Sequence, residues 1–286
     1  MSQEKVQVKL LVDWHENQVI DRGLIVGFRR FHPKTHITGY QGYIVSKNLH
    51  IYIFPTPQEC RSQAVPHKIG VIGKGLLKDI QEFCDDFEAI VAPAFRFSKV
   101  WEKRKRKPDP GIFTILVALP IGLKGSFNIL SLLISVLGNL EDANIRFWIK
   151  PHPTVRPEQI TSMFDGEFRN VFHVKTGDFN KYIEGANLLI GNASSTCLEA
   201  LAKGVPVIVI GDHNGIVENP IPEGISDLMW RICSTEDELI SAIRFFQGQC
   251  ETAFGQYEQI SKQIREDYFE PVTREGCRRF LEIEKR

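Results

Sequence analysis

The second half of the chain alternates short apolar runs with segments of helical spacing. Residues 113–120 (FTILVALP) form a continuous apolar run, the pattern of a strand covered on both faces. Residues 126–137 carry their apolar positions at helical spacing. In 145–149, Ile145, Phe147 and Ile149 alternate with other residues, which predicts a strand. A short helix over 157–163, a strand over 171–174, a short helix over 179–185 and a strand over 188–190 follow. Residues 191–211, GNASSTCLEALAKGVPVIVIG, read as a tight loop, a helix and a second strand. Leu198, Leu201 and Ala202 set the helical face, Gly204 ends it, and Val205 to Ile210 supply a β-branched run. An edge strand over 231–233 and helices over 236–246, 251–267 and 271–282 complete the series. Strands alternating with helices at this spacing predict a parallel, doubly wound α/β sheet.

The first hundred residues are less regular. Residues 24–28, 42–45, 49–54 and 68–72 are expected as strands and 76–83 as a helix. This is short for a complete Rossmann-like domain, so the first lobe is expected to be reduced or incomplete. The best boundary is WEKRKRKPDPG, residues 101–111, a charge run with two prolines and a closing glycine. It reads as a solvated linker or a phosphate-binding patch. The expected domains are 1–105 and 106–286.

Composition narrows the class. Hydrophobic content is 43% and charged content 24%, as in an ordinary soluble globular protein. With 35 basic and 35 acidic side chains the formal net charge is zero, which argues against a dedicated nucleic-acid binder. The cysteines, at 60, 84, 197, 233, 250 and 277, form no CxxC pair. Reduced thiols in a cytoplasmic protein are expected. No signal peptide is apparent. The apolar stretches 112–121 and 129–137 fall short of the roughly 20 residues a membrane-spanning helix needs.

Candidate chemistry gathers at predicted strand ends, where open parallel sheets bind ligands. A helix opening with Ser194, Ser195 and Thr196 offers backbone N–H groups and the positive end of a dipole, a seat for phosphate. Glu199, one turn later, is placed to meet a ribose hydroxyl. Lys150-Pro151-His152-Pro153 follows another strand, and its prolines stiffen the turn around a phosphate-facing imidazole. Read alone, it is equally a Pro-bracketed turn with a surface histidine. Gly122, Gly125 and Ser126 form a third loop, and Asp212 begins a fourth. In the first lobe, Trp14 to Arg22 is the densest polar group. Glu16 and Asp21 are its candidate general bases, with Glu16 preferred, or else they belong to a solvated helix start. Gly39 to Gly42 and Glu59 are further candidates. No metal constellation stands out, so neither a metal nor another cofactor is expected. There is no DxD triplet, Walker loop, GxSxG or HExxH.

Lys150-Pro151-His152-Pro153 taken with Ser194-Ser195 and Glu199-Ala200-Leu201 resembles the carboxyl-terminal, donor-binding domain of GT-B glycosyltransferases. It looks most like those using CMP-activated acid sugars, bacterial sialyltransferases and Kdo transferases of capsule and lipopolysaccharide assembly. CDP-glycerol polymerases of teichoic acid synthesis are similar. The likeness covers roughly residues 110–275. It implies a GT-B-like pair of Rossmann-like lobes that transfers a sugar from a nucleotide-activated donor, CMP- or CDP-linked, to a bacterial surface glycan. It places Lys150, His152, Gly122, Ser194, Ser195, Thr196, Glu199 and Asp212 on the donor. Glu16 or Asp21 would act as base, with His152 at the leaving phosphate. It also implies peripheral contact with a membrane-bound acceptor or with biosynthetic partners. Tyr268 to Thr273 resembles the segment that returns to the first lobe in such enzymes. The same loops fit a UDP-sugar epimerase, and the short first lobe fits a non-catalytic module binding nucleotide or glycan.

Overall fold

A computed structural model describes residues 7–102, 109–140, 144–163, 171–211, 217–249 and 253–283. The chain forms two compact units, Met1–Trp101 with Arg265–Arg286, and Glu102–Ile264. This division differs from the expected 1–105 and 106–286, because the last part of the chain returns to the first unit.

In the first unit the elements are β1 (Leu10–Trp14), α1 (Val19–Phe31), β2 (His36–Gln41), short helices α2 (His50–Ile53) and α3 (Pro57–Arg61), β3 (Lys68–Val71), α4 (Leu77–Ile80) and β4 (Ala89–Val91). Among the described residues the sheet runs β1-β2-β3-β4, all parallel. Helix α1 begins at a reciprocal capping box between Gln18 and Asp21 and carries Arg29 and Arg30 in its last turn, where the dipole favours cations. The expected strand over 24–28 is therefore helical. Its β-branched run tempts a strand reading, but the caps at both ends of the element govern. Residues 42–45 and 49–54 are likewise not strands. The first two strands are instead β1 and β2, and 50–53 is α2.

The returning segment completes this unit. The Glu270 N–H donates to Ile72 O at 2.6 Å, Ala94 N–H to Glu270 O at 2.9 Å, and the Trp101 indole N–H to Phe269 O at 3.0 Å. Within helix α11 (Arg274–Phe280), Phe280 packs its ring against Tyr40 and Phe95. A side chain on Gly70 would stand 2.9 Å from that ring, so the glycine makes room for it.

The second unit contains β5 (Phe113–Ala118), α5 (Leu123–Val136), β6 (Ile145–Lys150), α6 (Pro157–Thr161), β7 (Phe172–Val174), α7 (Phe179–Ile183), β8 (Leu188–Gly191), α8 (Ser195–Ala202), β9 (Val207–Ile210), β10 (Trp230–Cys233) and α9 (Glu236–Gln249). Helix α10 (Phe254–Tyr268) begins in this unit and ends in the first, to which α11 belongs. The sheet order is β10-β9-β8-β5-β6-β7, all parallel. Counted within the unit this is 6-5-4-1-2-3, the doubly wound Rossmann order. Strands β5, β8 and β9 are buried at every residue, as strands flanked by helices on both faces must be. Leu123–Leu140 is apolar enough over 18 residues to span a bilayer by length and composition. Here Ile129, Leu130, Leu133 and Val136 bury one face of it in the core with Ile115, Val117 and Ile149.

Candidate functional site

In a 6-5-4-1-2-3 sheet the strand order reverses between β5 and β8. Their carboxyl ends diverge into helices on opposite faces and leave a crevice. The register places Val117 of β5 against Ile190 of β8, so residues 119–122 and 192–194 leave the sheet side by side. An added Cβ on Gly125 would lie 3.9 Å from the Asn192 amide, so the two loops are neighbours. On the other side of β5, Ala118 pairs with Lys150, and Leu119 N–H donates to Lys150 O at 3.0 Å. Gly122, the 150–153 turn and the 192–196 loop thus share one edge of one sheet.

The 192–196 loop is built by its own side chains. Ser194 is the N-cap of α8. Its Oγ accepts from Thr196 N–H at 3.3 Å and from Thr196 Oγ1 at 2.8 Å. Both contacts use Ser194 Oγ as acceptor, so its own proton is available to a ligand. Cys197 Sγ donates to Asn192 O at 3.3 Å and ties the loop to the helix. Burial pushes that thiol up to about 12. Ser194, Ser195 and Thr196 are half-buried, whereas Glu199, one turn deeper, is 6% exposed.

At the end of β6, His152 Nδ1 lies 2.8 Å from Thr154 Oγ1 and accepts from Thr154 N–H at 3.3 Å. With the Thr154 N–H donating to Nδ1, the ring proton falls to Nε2, which makes that nitrogen a hydrogen-bond donor. Lys150 Nζ donates to Pro151 O at 3.1 Å, and burial lowers its pKa despite the opposing charge of Asp178. Its ammonium is thus partly desolvated, which strengthens any attraction to an anion.

Gly122 is the N-cap of α5 and has open space where a side chain would be. Ser126 is fully buried, and its hydroxyl donates to Gly122 O at 3.1 Å, so it serves the turn rather than a ligand. Asp212 lies outside the described residues. Asn192 was missed by sequence reasoning. Its signal is its position, the first residue past a strand at the reversal of strand order, and strand order is not readable from sequence.

Glu16 and Asp21 both belong to the first unit. In the stretch expected as a helix start, Trp14 ends β1 and residues 15–18 form a loop before α1 begins at Val19, with Asn17 in the left-handed region at φ 56°. Glu16 receives the Trp14 indole N–H at 2.9 Å and the Gln18 amide at 2.6 Å. Asp21 Oδ2 accepts the backbone N–H groups of Glu16 and Gln18 at 3.0 and 2.9 Å. Asp21 is therefore committed to starting α1. Glu59 is engaged as well, with Arg22 at 2.5 Å and Asn17 at 3.4 Å.

No family model matches the sequence, and no curated protein matches it. Solved structures do match the fold. A structure from Listeria monocytogenes named for UDP-N-acetylglucosamine 2-epimerase superposes with a TM-score of 0.60 at 15% identity, covering 96% of this chain and 73% of that one. A glycosyltransferase from Rickettsia africae ESF-5 gives 0.59 at 12% identity, over 96% and 76%. The pneumococcal O-GlcNAc transferase GtfA, solved with UDP and GlcNAc, gives 0.57 at 13% identity, over 96% of this chain and 56% of that chain. The fold is thus α/β with parallel sheets, similar to GT-B glycosyltransferase structures.

Proposed function

We propose that this protein is a nucleotide-sugar-dependent glycosyltransferase whose second unit holds the donor. The observation that carries the reading is the reversal of strand order between β5 and β8, with Gly122, Ser194–Thr196 and the 150–153 turn at its open edge. The donor's phosphate there would meet the α8 N-terminus, the Ser194 hydroxyl, His152 Nε2–H and the Lys150 ammonium. In sugar transfer these donors stabilise the charge that develops on the departing phosphate. Glu199, already desolvated, is proposed as the acceptor for a ribose hydroxyl. Of the two carboxylates expected as base, Glu16 is the candidate, because it is half-exposed whereas Asp21 is buried at the start of α1.

The nucleotide preference follows from the two lines of resemblance. The His-Pro and Ser-Ser pair argues for CMP- or CDP-linked donors. The pneumococcal neighbour carries UDP. Thermal shift with CMP, CDP and UDP separates these, since a ligand at a hundred times its Kd adds about 2.7 kcal/mol. Release of nucleotide from a nucleotide-sugar that depends on added glycan acceptor supports transfer. The Listeria neighbour supports a second reading, an epimerase, which predicts an isomerised UDP-sugar without any acceptor. Absence of stabilisation by all three nucleotides at millimolar concentration would sink the donor site.

A further inference from the structure

The sequence shows no metal motif, yet the fold of the first unit brings three ligating side chains together. Asp13, His15 and Asp21 each offer one ligand atom, and these atoms all lie within 4.8 Å of one another. Asp13 and His15 are two residues apart on extended chain, so both side chains leave the same face of the sheet. Gly39 stands opposite Asp13 in the β1–β2 register, and a Cβ there would come within 2.9 Å of the His15 Cβ and Cγ. The missing side chain at 39 is what lets the imidazole lie over β2. Asp21 reaches the same place because residues 16–18 turn tightly and α1 starts immediately. The backbone N–H groups of Glu16 and Gln18 fix the orientation of its carboxylate.

His15 is the observation that points to a ligand. It is 0% exposed, and neither Nδ1 nor Nε2 has a hydrogen-bond partner. Asp13 Oδ2 is buried and unpartnered in the same way, and lies 3.7 Å from His15 Nδ1, too far for a hydrogen bond. Buried polar atoms are nearly always paired, so orphans on facing side chains call for an explanation. A cation between them supplies one. Metal–ligand bonds of about 2.1 Å set tetrahedral ligand atoms about 3.4 Å apart, close to the His15–Asp13 separation. The charge fits as well. Two carboxylates, Asp13 and Asp21, stand beside the buried imidazole, so the surroundings are electronegative.

We propose that Asp13, His15 and Asp21 form a binding site for a first-row divalent transition ion, Zn²⁺ or Mn²⁺. One imidazole nitrogen with two carboxylates is a borderline donor set. It suits these ions better than Ca²⁺, which takes six to eight oxygens, or Mg²⁺, which prefers water and oxygen. One ring nitrogen of His15 binds the ion and the other keeps the ring proton. The remaining coordination positions go to water or to an oxygen ligand. All three ligands belong to the first unit.

The test is calorimetric titration of the chelator-stripped, full-length protein with ZnCl₂ and with MnCl₂, alongside His15→Gln and Asp13→Asn. The expected result is one equivalent bound per chain, a metal-dependent rise in Tm, and affinity weakened about tenfold or more in each variant. Co²⁺ substitution should add visible d–d bands that both variants lose. Asp13 is partly exposed, so D13N keeps the test decisive if H15Q does not fold. No binding at millimolar metal, or binding that both folded variants retain undiminished, would overturn the proposal.

Discussion

Ser194 allows the cap and the proposed phosphate seat to be separated by a pair of substitutions. Ser194→Ala removes an acceptor that holds Thr196 N–H at 3.3 Å and Thr196 Oγ1 at 2.8 Å. Loss of an N-cap costs about 1 kcal/mol, which in a domain of this size lowers Tm by roughly 2–4 °C. Ser194→Asp keeps the acceptor, and aspartate caps as well as serine while favouring the dipole by about 0.3–1 kcal/mol. Its stability should match or exceed that of the parent. The same carboxylate would stand beside a bound phosphate. At about 5 Å and an effective dielectric of about 20, one pair of unit charges repels by about 3 kcal/mol. Half-exposure of the loop reduces this, so a loss of nucleotide affinity of about tenfold or more is expected. The assay is urea unfolding for stability and calorimetry with CDP and UDP for affinity. An aspartate variant that is stable and binds nucleotide as the parent does would refute the placement of phosphate at α8.

Other consequences can be checked separately. His152→Ala should weaken nucleotide binding with little change in Tm, because its bonds to Thr154 lie within one exposed turn; a large loss of stability would mark it as structural instead. Gly73→Ala should destabilise by about 1–3 kcal/mol in urea, since the new Cβ would lie 2.3 Å from the Tyr268 backbone while φ of −166° suits any residue; an unchanged midpoint would contradict this. Hydrogen bonds from Lys68 and His36 hold the Glu282 carboxyl below its ordinary range, with burial opposing. A depressed carboxyl contributes stability that is present above the unfolded pKa of about 4.3 and lost as pH falls through the folded value. Glu282→Gln should flatten that acid limb of the Tm profile. Cys197 and Cys233, both pushed up to about 12 by burial, should resist iodoacetamide at pH 8 in the folded protein and react in urea, as read by mass spectrometry.

The second unit is legible because its central strands β5, β8 and β9 are buried on both faces. Continuous runs such as FTILVA and VIVI announce themselves, and the hydroxyl cluster before Leu198 marks a helix start. The first unit was harder, for identifiable reasons. β2 is HITGYQ, five of its six residues buried, yet polar enough that no apolar run appears. α1 buries only Asp21 and Ile25, so its apolar positions trace no core-facing stripe, and Val19 and Ile20 stay exposed. The Asp13–His15–Asp21 group has no spacing rule behind it. It depends on a strand, a turn through left-handed Asn17 and a glycine on the next strand, a tertiary coincidence that periodicity does not encode. The donor loops were identified one at a time as strand ends. Their adjacency rests on strand order, which sequence pattern leaves open.

The most direct test of the donor seat is hydrogen–deuterium exchange of the full chain with and without saturating CMP, CDP or UDP. The account predicts slowed exchange in peptides covering residues 119–126, 150–155 and 191–199 with at least one nucleotide, and loss of that protection in Ser194→Asp. Unchanged exchange in those segments, with protection appearing only elsewhere, would contradict it.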